Sequence, residues 1–203
     1  ARVVLEGKDY DESSRLSHEY EEKTGRTFIH PFCDDMIIAG QGTVAVEVLR
    51  DRPEIDTLIV PVGGGGLICG CALAAKEIRG DARVLGVQPE ASNPFCRCLE
   101  KGEYHETPIG DSIADALTGE IISEEFFKFF SGLVDGAETV TEEEIEEGMY
   151  WLLKKHALLV EGGGAAGVSA LNSGKIDVKG RKAAVIVTGF RLDPSDLKRI
   201  LEK

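Results

Sequence analysis

The sequence predicts an α/β protein built as a three-layer open parallel sheet with helices on both faces. Three observations carry this. Residues 58–62 (LIVPV) and 183–187 (AAVIV) are short continuous apolar runs, and 83–87 (RVLGV) is one after its first residue, the pattern of strands buried on both faces. Stretches with helical spacing alternate with them, which is the order of βαβ units. No internal repeat or low-complexity tract breaks the alternation.

Along the chain, residues 3–5 (VVL) predict a short strand. Residues 11–23 predict a helix that ends at Gly25, with Leu16 and Tyr20 on one face. Residues 27–30 predict a second strand stopped by Pro31, which would complete a first βαβ unit. Residues 42–49 are helical, with Val44 and Val48 four apart, and Pro53 marks the end. After the strand at 58–62, residues 67–78 form a helix ended by Gly80, and 83–87 the next strand. Residues 88–138 are less regular, with a helix expected at 124–130. Thr141 and Glu144 form a capping box before an acidic first turn, and Ile145, Met149, Leu152 and Leu153 make one apolar face. Residues 161–164 interrupt the helical pattern, which resumes at 165–171 and stops at Gly174. Residues 183–187 are the last strand, and a final helix starts with Pro194 and runs to residue 201.

The 203 residues fit one large domain, or one domain and part of another. A net charge of −13 argues against nucleic acid or an anionic membrane as partner, since both need Lys/Arg patches. A small anionic ligand is compatible with it, because backbone amides hold anions inside acidic proteins. No apolar run is long enough to span a bilayer, and ARVVLEGKDY lacks the features of a signal peptide. The five cysteines, at 33, 69, 71, 96 and 98, are odd in number. They include two Cys-x-Cys pairs, too closely spaced for the usual zinc motif. They are expected to be free thiols of a cytoplasmic protein. His18, His30, His105 and His156 share no spacing and read as structural or surface residues. The acidic run at 142–147 reads as a solvated helix start.

The chemistry centres on LIVPVGGGGLICG, residues 58–70. Gly63, Gly64, Gly65 and Gly66 stand where a buried strand hands over to a helix. A tight turn needs one or two glycines, and each further one costs roughly 0.5–1 kcal/mol of backbone entropy. Four in a row suit a loop whose amides converge on one anion, with the positive end of the following helix behind them. The GK[ST] of a Walker loop is absent, and a solid GGGG block overlaps a Rossmann fingerprint poorly. From the residues alone the ligand is a small phosphorylated molecule.

VPVGGGGLICG resembles the phosphate loop of the fold-type II pyridoxal-phosphate (PLP) enzymes, in the threonine dehydratase and serine racemase group. VVLEGKDYDE, HPFCDDMIIAGQGTVAVEVL, LGVQPE, VEGGGAAGVSAL and AVIVTG follow the family's order. The resemblance implies the tryptophan synthase beta-like fold, incomplete here, with PLP as cofactor. It implies that residues 1–33 are the end of a small domain and 34–203 most of a large one. Gly63, Gly64, Gly65, Gly66 and the Leu67 amide would hold the cofactor phosphate. Thr188 stands where the family offers a hydroxyl or thiol to the pyridine nitrogen. A neutral hydroxyl there makes the ring a moderate electron sink, suited to β-elimination. Glu161, in VEGGG, matches an acidic position lining the family's site.

The sequence also departs from the family. The motif of the Schiff-base lysine (SFKxRGA-like) and the substrate-carboxylate loop (SSGNHAQG-like) are absent, and none of the twelve lysines has the required context. No catalytic residue is identifiable beyond Glu161. The chain is therefore expected to be one part of a larger enzyme, whether split, cleaved or truncated, completed by an N-terminal lysine-bearing segment or chain. A homo-oligomer is expected as well. Serine racemase-like relatives bind a divalent metal after the strand that follows the glycine loop. Here Gln88 stands where an acid would be and Pro94 near another ligand position, so no metal is expected, with Gln88 and Glu90 as the weak alternative ligands. VTGFRLD replaces the commoner TGGN or SGGN. ADALTGE (114–120) with VEGGG also resembles hydroxyectoine dehydratases.

The expected activity is loss of water from serine or threonine to give a 2-oxo acid and ammonia. Alternatives are a serine racemase, a hydroxyectoine dehydratase, or a non-catalytic subunit that cradles the cofactor for a partner chain.

Overall fold

The computed structural model describes residues 2–8, 10–119 and 124–202; Glu120, the last residue of ADALTGE, lies outside them. Eight α-helices and four strands are present among the described residues. They run α1 (Tyr10–Thr24), α2 (Asp35–Asp51), β1 (Thr57–Pro61), α3 (Gly66–Ile78), β2 (Arg83–Pro89) and α4 (Pro94–Lys101). After a 3-10 turn at Asp115–Leu117 come α5 (Glu124–Ser131), β3 (Gly136–Val140), α6 (Glu142–His156), α7 (Gly162–Asn172), β4 (Ala183–Val185) and α8 (Pro194–Leu201).

The strands form one parallel sheet in the order β3-β2-β1-β4. Thr57 of β1 is in register with Arg83 of β2 and with Ala183 of β4. Period-2 alternation sends neighbouring β1 side chains to opposite faces. Leu58 and Val60, with Val84, join a core with α2, α3, α4 and α5. Ile59, with Leu85 and Val87, joins a second core with α6, α7 and α8. Leu58, Ile59 and Val60 are all fully buried, and each contributes about 1.5–3 kcal/mol. This is the three-layer open parallel sheet expected from the apolar runs.

The N-terminal βαβ unit does not form. Residues 3–5 and 27–30 lie outside any strand, and Val3, Leu5 and Ile29 are 79%, 91% and 65% exposed. A strand needs a ladder partner, and no described strand lies beside either segment. The amide of Phe28 instead donates to Glu21 Oε1 at 2.8 Å. Helix α2 begins earlier than expected because Asp34 accepts from the amides of Met36 and Ile37 and caps it. Residues 162–164 do not interrupt a helix; they are the first turn of α7. Strand β4 ends at Val185, where its pairing with Ile59 ends. Strand β3 and helix α4 carry weak sequence signals, since GAETV alternates poorly and PFCRCLEK is short.

Helices α2 and α3 approach at two glycines. A Cβ on Gly70 would run into the Ile38 carbonyl and lie 2.6 Å from the Gly42 amide. Backbone cannot yield there as a side chain can. Gly70→Ala is expected to destabilise the chain by about 2 kcal/mol or more, read as a lower urea midpoint at unchanged slope.

Candidate functional site

Strands β1, β2 and β3 progress toward one edge of the sheet, and the chain then crosses back to place β4 on the other side of β1. The switch point lies between β1 and β4, and ligands of open α/β sheets bind beyond the carboxyl ends of strands at such a point. Gly63 lies just past β1, and Thr188 just past β4.

The glycine run is the β1–α3 connection. Gly65 is the N-cap of α3 with φ +91°, a left-handed conformation that glycine adopts without strain. The loop is wedged between two neighbours. A Cβ on Gly64 would lie 2.5 Å from the Phe32 ring, and one on Gly66 2.7 Å from the Phe32 carbonyl. On the other side, a Cβ on Gly63 would lie 2.9 Å from the Ala116 carbonyl. Any larger residue would push the loop away from these walls.

The first hydrogen bond of α3 runs from the Cys69 amide to the Gly65 carbonyl at 2.9 Å. Among the described residues no acceptor meets the amides of residues 64–68. A helix start leaves such donors unpaired, and here the preceding glycines add more. The first turn carries no acidic residue. The arrangement suits an anion, with open amides in front of the positive end of a 13-residue helix.

Thr188 is exposed and has no hydrogen-bond partner among the described residues. Glu161, the N-cap of α7, does not cap its helix with its side chain. Its amide donates to the Gly189 carbonyl at 3.1 Å, and its Oε2 accepts from the Arg191 amide at 3.1 Å. The carboxylate thus holds the turn that follows Thr188 and lines a cavity of about 410 Å³ with Asp115, Glu142 and Arg191.

Gln88 is fully buried and both ends of its amide are in use. Nε2 donates to the Val62 carbonyl at 3.2 Å, and Oε1 accepts from the Cys96 amide in the first turn of α4 at 3.1 Å. It braces the end of β1 next to the glycine loop. Glu90 is exposed. Lys76 lies ten residues into α3, about 15 Å along the helix from Gly66. It is held there by Asp135 at 2.8 Å and by the Ala82 carbonyl.

The acidic run at 142–147 is more than a solvated face. The capping box forms as expected, and Glu144 also pairs with Lys175 at 2.7 Å while Glu146 pairs with Arg199 at 3.0 Å. Glu142 Oε2 accepts from the Ile113 amide at 2.8 Å, while its buried Oε1 has no partner among the described residues. Sequence reasoning missed this tie and the walls made by Phe32, Ala116 and Leu117. Nothing local in HPFCDD or ADALTG says that these segments meet the glycine loop.

Open amides in a glycine loop at the switch point of a parallel sheet suit a phosphorylated ligand. Residues 1–189 match the model of the pyridoxal-phosphate dependent enzymes, and the chain belongs to that family. It is 37% identical over 203 residues to an L-threonine ammonia-lyase of Thermotoga maritima, and 34% to one of Geobacter sulfurreducens. Each match covers 100% of this chain and 50% of the relative, so the chain spans about half the length of these relatives. Maize serine racemase superposes with a TM-score of 0.89 at 30% identity, covering 99% of this chain and 62% of that one. The processed threonine deaminase isoform 2 of Solanum lycopersicum gives 0.88 at 30%, covering 98% and 59%. The architecture is therefore that of the fold-type II PLP enzymes, in part. The cofactor of this family carries a phosphate, and the open amides at the start of α3 fit that group.

Among the described residues no cysteine forms a disulfide. Burial pushes the Cys69 thiol, with a smaller contribution from Cys33, and the Cys71 thiol up to about 11. Burial, then the Glu138 carboxylate, push Cys96 up to about 12. The thiolate is the reactive form. At pH 8 Ellman's reagent is therefore expected to leave Cys69, Cys71 and Cys96 unlabelled until denaturant is added, as mass spectrometry of the labelled peptides would check.

Proposed function

We infer that the chain is the cofactor-binding part of a PLP-dependent ammonia-lyase that takes water from threonine or serine and leads to a 2-oxo acid and ammonia. The observation that carries this is the set of open amides at residues 64–68, in a chain similar to L-threonine ammonia-lyases. Gly63, Gly64, Gly65, Gly66 and the Leu67 amide hold the cofactor phosphate. Thr188 presents a neutral hydroxyl to the pyridine nitrogen, and so places no fixed charge beside it. Glu161 fixes the turn after Thr188 and lines the site. Phe32, Ala116 and Leu117 hold the glycine loop in place from either side. When bound, the cofactor supplies the electron sink that makes the substrate α-proton acidic.

Residues 1–33 belong to the end of a small domain and 34–203 to the large one. A complementary N-terminal segment or chain brings the lysine that carries the cofactor and abstracts the α-proton. The whole enzyme is a homo-oligomer of the cytoplasm, the setting that free thiols suit. Among the described residues no helix is long and apolar enough to cross a membrane. The likeness to maize serine racemase supports racemisation as a second reading. Product analysis separates the two, since a lyase yields 2-oxo acid and a racemase yields D-serine.

The 203-residue chain alone is expected to bind PLP in equilibrium dialysis and to release no 2-oxo acid from threonine or serine. Turnover should appear when the lysine-bearing segment is added, and turnover by the chain alone would overturn the reading. In Gly64→Ala the new Cβ meets the Phe32 ring. PLP affinity should fall at least about tenfold, while stability falls by about 1–3 kcal/mol, read by calorimetric titration beside urea unfolding.

A further inference from the structure

The Phe32 wall of the cradle is held by a histidine. His30 Nδ1 accepts from the amides of Cys33 at 2.9 Å and of Phe32 at 3.3 Å. The imidazole also stands edge-on to the Phe32 ring, with centroids 4.5 Å apart. Phe28 and His18 continue the stack toward α1, at 6.0 Å and 4.2 Å. Phe32 in turn meets Gly64 with its ring and Gly66 with its carbonyl. A chain of contacts therefore runs from the unprotonated nitrogen of His30 to the anion cradle.

We propose that His30 is a positioning residue of the phosphate loop: neutral, it clamps the Phe32–Cys33 turn against Gly64 and Gly66, and protonated, it releases that turn and weakens the cradle. This rests on the reading that the loop takes the cofactor phosphate. The reason is the number of donors. A neutral imidazole has one acceptor nitrogen, and here two amides point at it. A proton on Nδ1 makes it a third donor facing the other two, so both hydrogen bonds are lost.

The surrounding charges agree with a neutral ring. Burial lowers the His30 pKa from its ordinary 6.5, His18 on α1 lowers it further, and Asp34 ahead of α2 opposes them. His18 is itself paired with Glu21 at 3.5 Å, and Asp34 is engaged in capping α2. A lowered folded pKa means that the unfolded or loosened turn binds the proton more readily. The stabilising effect is complete above 6.5 and is lost as pH falls through the lowered value.

The test is amide hydrogen exchange on the full chain, with protection factors for Cys33, Gly64 and Gly66 followed from about pH 7.5 down to about pH 5.5, where histidine titrates. Protection should fall in the wild type. It should stay level in His30→Asn, whose side-chain oxygen accepts a hydrogen bond without titrating. Level protection in the wild type overturns the proposal, whether or not the variant folds. PLP affinity over the same range is the second readout. As pH falls, the wild type should lose more affinity for PLP than His30→Asn does. The comparison removes the phosphate's own titration near pH 6. Equal weakening in both proteins overturns the proposal. If PLP binds neither protein while protection still falls, the cradle reading fails and the His30 clamp stands.

Discussion

The end of β1 is the constraint on which the rest of the site depends. The strand is buried on both faces, paired on both edges, and followed at once by a helix that packs on one face of the sheet. Its connection has to turn in the space left between the Phe32 segment and the 3-10 turn at Asp115–Leu117. Side chains would fill that space, so the connection is bare backbone. Bare backbone at the start of a helix leaves its amides without partners and in one place. The anion cradle is thus a consequence of how tightly β1 and α3 are joined.

The surrounding loops are tied to this turn. Gln88 links the end of β1 to α4, Glu142 holds Ile113 just before the 3-10 turn, and Glu161 holds the turn after β4. Three different strand-end connections are thereby referred to one frame. The same ties explain how a chain of net charge −13 presents an anion site. The carboxylates of Glu142 and Glu161 accept from backbone amides elsewhere, and no acidic residue stands in the first turn of α3. Local amide dipoles then outweigh a diffuse negative field that salt screens.

Much of this was legible in the sequence. Buried strands announce themselves as apolar runs, and β1 and β2 lie where LIVPV and RVLGV predicted. The glycine block marked the close-packed turn between β1 and α3, and the capping box marked the start of α6. Edge elements were harder to read. Strand β3 carries few apolar residues because part of it is half-exposed. The runs at 3–5 and 27–30 look like strands but find no described neighbour to pair with, since an apolar pattern reports the wish for a partner and not its presence.

By itself the sequence determined the fold class, the cofactor and the family, because each depends on residues adjacent along the chain. Only the tertiary structure decided what stands around the cradle. Phe32, Ala116 and Gly189 are far apart in sequence, and they are brought to the glycine loop and Glu161 by the crossing of β4 to the far side of β1 and by the packing of α2 on α3. Those contacts depend on how the layers stack, which no local pattern records. The same stacking makes Gln88 a brace at the end of β1, and gives His30, read as structural or surface, the amides of Phe32 and Cys33 to hold.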